Sequence, residues 1–145
     1  MVRKTWEEMT NAERQSDAEA RRALFSDGRV KLDLPWPPSL NHYWRHVRNT
    51  GRTLISEEGR SYRKRVAEVV TRDQRHRFGS GPVAIHIVAY PPDRRRRDLD
   101  NMLKAVLDAL AHTHVYSDDS QIDDLHILRG GRVGGGLLVV RVERA

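Results

Sequence analysis

Between Arg94 and Asp119 the chain reads RRRRDLDNMLKAVLDALAHTHVYSDD, and no other stretch offers a fold so many acidic and basic side chains to gather at one place. At about 100° per residue, a helical wheel started at Asp100 puts Asn101, Lys104 and Asp108 on the same side as Asp100. Leu99, Leu103, Val106, Leu107 and Leu110 fall together on another side. Such a division predicts a helix with one face on a core and one face left for solvent or a ligand. Asp98 does not fit this wheel. For its carboxylate to converge with that of Asp100, the backbone through Leu99 must be extended, where alternate residues share a side. The helix is therefore expected to begin at or just after Asp100. Asp98 would then stand at a strand–helix junction, and Asp118 and Asp119 would return near it at the start of the next strand.

Three or four carboxylates at one place repel one another, and a hard divalent cation relieves that repulsion. Carboxylate oxygens are what Mg²⁺ prefers. A metal held there can bind a phosphate oxygen and activate a water, which is phosphodiester chemistry. Lys104, one turn along from Asp100, can oppose charge developing on the phosphorus oxygens. Arg94, Arg95, Arg96 and Arg97 can hold the flanking backbone phosphates. Each fragment also has a structural explanation. Asp98 or Asp100 can be an N-cap, Asp100 and Lys104 a surface pair, and Asp118–Asp119 a turn. The conjunction of all the pieces within 26 residues is what favours a site.

The rest of the chain fits a partner with a phosphate backbone. The net charge is +6, and residues 1–29 carry six basic and six acidic groups, so the surplus lies downstream. Residues 41–77 hold ten basic and four acidic side chains. In the segment SLNHYWRHVRNTGRTLIS, Asn41, Arg45, Arg48 and Arg52 interleave with His42, Tyr43, Trp44 and His46. Arginines suit phosphates and aromatic faces stack on exposed bases. The same residues also describe a hairpin with Tyr43 and Trp44 packed inward and the arginines in water. Cys is absent, which removes disulfides, thiolate zinc sites and cysteine nucleophiles. No apolar run approaches the roughly 20 residues needed to span a bilayer. The expectation is a soluble intracellular protein.

Local patterns predict the remaining elements. Thr5 and Glu8 have capping-box spacing, and residues 1–28 read as an added helix ending near Asp27–Gly28. Val30–Trp36 alternates as a strand with one buried face, closed by Pro35, Pro37 and Pro38. Ser56, Glu57 and Glu58 open a helix whose apolar face is Tyr62, Val66, Val69 and Val70. Val83–Tyr90 is apolar on both faces apart from His86, so it should lie centrally in a sheet. His86 has no metal-type neighbour on its own strand and is expected to be a satisfied core or edge histidine. QIDDLHILRGG and GLLVVRVER complete the set of strands.

RRRRDLDN, then Lys104, DALA and SDDSQ, resemble the RusA-type Holliday-junction resolvases, as do LPWPPSLNHYWRH and GRTLISEEGRSYRKRV upstream. The resemblance spans about Val30 to Val142. It implies a small homodimeric endonuclease that uses Mg²⁺ or Mn²⁺ to nick opposing strands of a four-way DNA junction, of a kind common in phages. It implies metal-binding aspartates at Asp98, Asp100 and Asp119, an essential lysine at Lys104 and a functional basic residue at Arg97, with Asp118 undecided. Residues 1–28 are additional to the family, and the connection His112–Thr113–His114 lacks an expected glycine.

The sequence thus leads to an α+β domain over residues 29–145, with a small mixed β-sheet, two main helices and an N-terminal helical extension over 1–28. The expected partners are branched DNA and a second copy of the chain, since two symmetric cuts call for two equivalent sites. The expected compartment is the cytoplasm. A nuclease aimed at flaps or other branched DNA, and a non-catalytic DNA-binding protein of the same fold, are the alternatives.

Overall fold

The computed structural model describes residues 8, 10–13, 29–72 and 78–145. The extension expected over 1–28, with its Thr5 cap, lies outside these residues apart from Glu8 and 10–13. There Thr10 and Glu13 exchange bonds: the Thr10 backbone N–H donates to Glu13 Oε2 (2.7 Å) and the Glu13 N–H to Thr10 Oγ1 (3.2 Å).

The chain then forms β1 (Val30–Leu34), a single helical turn α1 (Leu40–Tyr43), β2 (Trp44–Val47), β3 (Arg52–Ile55), α2 (Glu57–Arg72), β4 (Val83–Tyr90), α3 (Asp100–His112), a 3₁₀ turn (Asp119–Gln121), β5 (Ile122–Arg129) and β6 (Leu137–Arg144). Four strands make one sheet in the order β1-β6-β4-β5, and β2 and β3 make a separate hairpin. β4 runs parallel to β5, and the other pairings are antiparallel. This is the small mixed sheet of an α+β domain. Proline ends β1 one residue beyond Leu34, because it cannot donate to the ladder.

The core forms where one face of this sheet meets α2 and α3. Val83, Ile85, Ile87 and Ala89 of β4 are buried there with Leu138, Val140 and Val142 of β6 and Val30, Leu32 and Leu34 of β1. β4 is flanked on both sides, as its apolar run predicts. Its alternate residues His86, Val88 and Tyr90 are only half buried, so the second face is open to solvent rather than covered. α2 buries Tyr62, Val66 and Val70 as expected, with Val69 at the margin. Gly59 is the addition: a Cβ there would come within 2.7 Å of Ile55 Cγ2 and 2.9 Å of the Tyr43 carbonyl. Only glycine lets the first turn of α2 pack so close to α1 and β3.

The buried face of α3 differs from the expected leucine stripe. Met102, Ala105, Val106, Ala109 and Leu110 are buried, while Leu99, Leu103 and Leu107 sit half-buried at one edge. The small side chains Ala105 and Ala109 let the helix approach its neighbours closely, so the deepest contact falls on the alanines and the larger leucines flank it.

Candidate active site at the start of α3

Asp93 organises the arginine run. It accepts two bonds from the Arg97 guanidinium, at 2.6 and 3.0 Å, and one from the Arg95 backbone N–H at 2.8 Å. Its hydrogen bond with Arg97, then the one with Arg95, holds the Asp93 carboxyl down at about 2. Arg97 also lies over the Trp36 ring, 5.7 Å from its centre, and Arg129 donates to the Arg97 carbonyl at 2.5 Å. Arg97 is thus fixed in place, whereas Arg94, Arg95 and Arg96 are exposed. Asp93 follows Pro91–Pro92 at the end of β4, and the local sequence pattern does not single it out. The available signal was its i,i+4 spacing to Arg97.

α3 begins at Asp100, as expected, but the backbone before it is not extended. Leu99 has φ −62° and ψ −36°, and the Asp98 and Leu99 carbonyls already accept from Asn101 and Met102 at 3.3 and 3.4 Å. Alternate carboxylates across a helical residue diverge, so Asp98 and Asp100 do not share a side by way of the backbone. The physical reason is Leu99: winding the turn one residue early brings its side chain against the core. Asp98 instead lines a cleft of about 440 Å³ with Trp36, Pro37, Ser39, Arg96, Arg97, Asn101 and Met102. Asp100 is exposed at the first position of α3.

Further along α3, Asp108 joins three elements. Tyr43 donates its hydroxyl to Asp108 Oδ2, Arg63 Nη2 reaches the same oxygen at 2.5 Å, and Arg63 Nε donates to the Tyr43 hydroxyl at 3.2 Å. Burial opposes ionisation of Asp108, but the Arg63 and Tyr43 hydrogen bonds outweigh it and hold the carboxyl below its ordinary range. Burial, reinforced by Asp108, pushes the Tyr43 phenol up to about 12. Tyr43 is fully buried, so it packs inward and is not a base-stacking platform. Lys104 Nζ stands 3.8 Å from Asp108 Oδ1 and 3.9 Å from Asp119 Oδ2. It thereby links the buried network to the second acidic pair.

Asp108→Asn should weaken the fold by about 2 kcal/mol, because Arg63 would lose its counter-charge in a part-buried place. Since the folded carboxyl holds its proton less tightly than the unfolded one, this stabilisation is complete above about pH 4 and fades as pH falls through the lower folded value. The variant should lose that part of the acid dependence in chemical denaturation.

Asp118 and Asp119 separate cleanly. Asp118 caps the 3₁₀ turn: its carboxylate accepts from the Ser120 N–H (3.2 Å) and hydroxyl, while its own N–H donates to Gln121 Oε1 at 2.8 Å. The Ser120 bonds lower its pKa. Gln121 Nε2 in turn donates to the Gly79 and Gly81 carbonyls, both at 2.8 Å. Asp119 is exposed and faces Lys104.

Asn41, Arg45, Arg48 and Arg52 are exposed. The three arginines lie on the β2–β3 hairpin, whose register pairs Arg45 with Leu54 and Val47 with Arg52. Leu54 is itself exposed, and Trp44 at the base packs edge-on to Tyr43 with ring centres 5.0 Å apart. The hairpin expected as the alternative reading is therefore present, with Tyr43 inward and the arginines in water, where they can still meet phosphates.

Among the described residues, the group of histidine and carboxylate side chains whose donor atoms all lie within 4.8 Å of one another is His86, Asp124 and His126, not Asp98, Asp100 and Asp119. His86 stacks on His126, and its Nε2 is 3.8 Å from Glu143 Oε1. Its partners come from β5 and β6, which its own strand could not disclose.

Residues 35–143 match the family model for endodeoxyribonuclease RusA. A crossover junction endodeoxyribonuclease of Enterobacteria phage HK97 is 43% identical over 109 residues, covering 75% of this chain and 89% of the relative. The crossover junction endodeoxyribonuclease RusA of Escherichia coli strain K12 is 42% identical over 111 residues, 77% of this chain and 91% of its own. That of Enterobacteria phage 82 is 43% identical over 111 residues, with the same coverage.

Proposed function

Because the chain belongs to the RusA family of endodeoxyribonucleases, we propose that it is a metal-dependent, structure-selective endonuclease that resolves four-way DNA junctions by paired symmetric nicks. The observation that carries the reading is Lys104. One turn from Asp100, its ammonium lies 3.9 Å from Asp119, across fifteen residues of sequence, while the neighbouring Asp118 is consumed as a cap.

The donor set fits a hard cation. Asp98, Asp100 and Asp119 are exposed carboxylates, with oxygens of the type Mg²⁺ or Mn²⁺ takes, and no soft ligand stands among them. We assign these three as the ligands; since the backbone at Leu99 does not set Asp98 and Asp100 on one side, the ion itself would have to draw their carboxylates together by side-chain rotation. Bound there, the ion would polarise the scissile phosphate and lower the pKa of an attacking water. The remaining steps fall to the chain itself. Lys104 sets positive charge where the phosphorane oxygens become more negative. Arg97, locked by Asp93, holds the flanking phosphate in one position, and Arg94, Arg95 and Arg96 supply looser, salt-sensitive contacts. Asn41 and the hairpin residues Arg45, Arg48 and Arg52 extend that cationic surface.

The catalytic domain is assigned to residues 29–145 and the appendage to 1–28. One chain of this size supplies one such site, so two matched nicks imply a two-fold homodimer. No helix among the described residues is long and apolar enough to cross a membrane; with DNA as substrate, we place the protein in the cytoplasm of a bacterium, encoded by it or by a phage.

Four-way, flap and linear duplex substrates, each with and without Mg²⁺, separate the readings. The proposal expects metal-dependent cutting of the four-way junction at least tenfold faster than of the others. Preference for flaps would replace the substrate, and tight binding without cutting under any divalent ion would replace the enzyme with a binding protein.

A further inference from the structure

We propose that His86, Asp124 and His126 form a second metal site, for a borderline-soft divalent cation of the Zn²⁺ class, on the open face of the sheet. The reading is independent of the nuclease site. β4 buries Val83, Ile85, Ile87 and Ala89 toward the helices, so His86 points to the other face. Residues 124 and 126 are two apart on β5 and share a side. The parallel register sets His86 directly beside His126, and Asp124 beside Ala84, a side chain too small to crowd it.

The two imidazole rings are parallel within 2° at 4.7 Å, and His126 Nε2 is 2.7 Å from Asp124 Oδ1. All three donors lie within 4.8 Å of one another. A tetrahedral ion with bonds of about 2.1 Å wants its ligand atoms about 3.4 Å apart. Binding would turn the two rings out of their parallel stack about their side-chain bonds, while strand pairing keeps the backbones in register. Glu143 Oε1, 3.8 Å from His86 Nε2, is within reach as a fourth arm; the other oxygen, Oε2, pairs with Arg29 Nε at 2.9 Å, and Arg141 Nε lies 3.9 Å from it. That carboxylate offsets the nearest guanidinium charges and leaves Asp124 for the cation. Two imidazoles with one carboxylate select Zn²⁺, Co²⁺, Ni²⁺ or Cu²⁺ over the oxygen-seeking Mg²⁺.

The site would act on the fold. β5 is an edge strand, paired within the sheet to β4 alone, and most of its side chains are exposed. The turn carrying Asp119 runs straight into it. An ion joining His86 of β4 to two ligands on β5 would staple that edge, and bound Zn²⁺ would raise the melting temperature by several degrees at saturation.

The test uses the full chain, stripped of metal by a chelator and kept in millimolar Mg²⁺ so that hard oxygen sites do not report. Co²⁺ is titrated by visible absorption. One equivalent should give an imidazole ligand-field band that Zn²⁺ displaces, and His126→Asn should weaken binding at least tenfold. In the unmodified protein, Zn²⁺ should shift the ring nitrogens of His86 and His126, assigned through the backbone, while Mg²⁺ leaves them in place. The proposal is overturned if Zn²⁺ moves neither ring, or if H86N/H126N, folded by circular dichroism, binds Co²⁺ as the parent does.

Discussion

Asp119→Asn is expected to slow single-turnover cutting of a synthetic four-way junction by about 10²–10³-fold, with junction affinity in Mg²⁺-free buffer unchanged. The amide keeps the shape of the side chain but gives up the anionic oxygen a hard cation needs. Affinity should stand because the cationic surface is untouched. The adjacent Asp118→Asn is the internal control. Its carboxylate is committed to the Ser120 N–H and hydroxyl, and the amide oxygen of Asn can accept there in its place, so the variant should stay folded and keep most of the cutting. The reverse pattern, with D119N active and D118N inert yet folded, would sink the assignment of the pair.

Lys104→Met should reduce kcat about a hundredfold while KM for the junction changes little. Met retains the apolar stem of the side chain, which lies beside Trp44 with the ammonium 5.9 Å from the ring centre, and removes only the charge. An ammonium that matters chiefly when the phosphate gains negative charge stabilises the transition state more than bound substrate, so the loss falls on kcat. Arginine should restore little, since a planar fork cannot replace a compact charge set 3.8 and 3.9 Å from two carboxylates. A loss confined to KM would make Lys104 a binding residue.

The elements of the fold were legible because each announces itself locally. Alternation marks β1, a run apolar on both faces marks β4 as central, and Glu57–Glu58 mark the start of α2. What could not be read came from side chains meeting across distant segments. Tyr43, Arg63 and Asp108 lie on three different helical segments, and nothing in their separate surroundings tells that they close a network. His86 was judged by its own strand, whereas its neighbours stand on β5 and β6. Leu99 shows a third kind of limit. An extended link would have joined Asp98 and Asp100, but burying a leucine decided the local backbone.

The Gln121 side chain, held by the Gly79 and Gly81 carbonyls, has an evolutionary corollary. It moors the acidic turn to the stretch of backbone that leads into β4, far from the chemistry in sequence. Indels in that lead-in would therefore not be the neutral length changes that surface loops usually tolerate. Descendants of this chain should vary freely in hairpin-tip length while keeping the spacing from residue 79 to residue 83 constant.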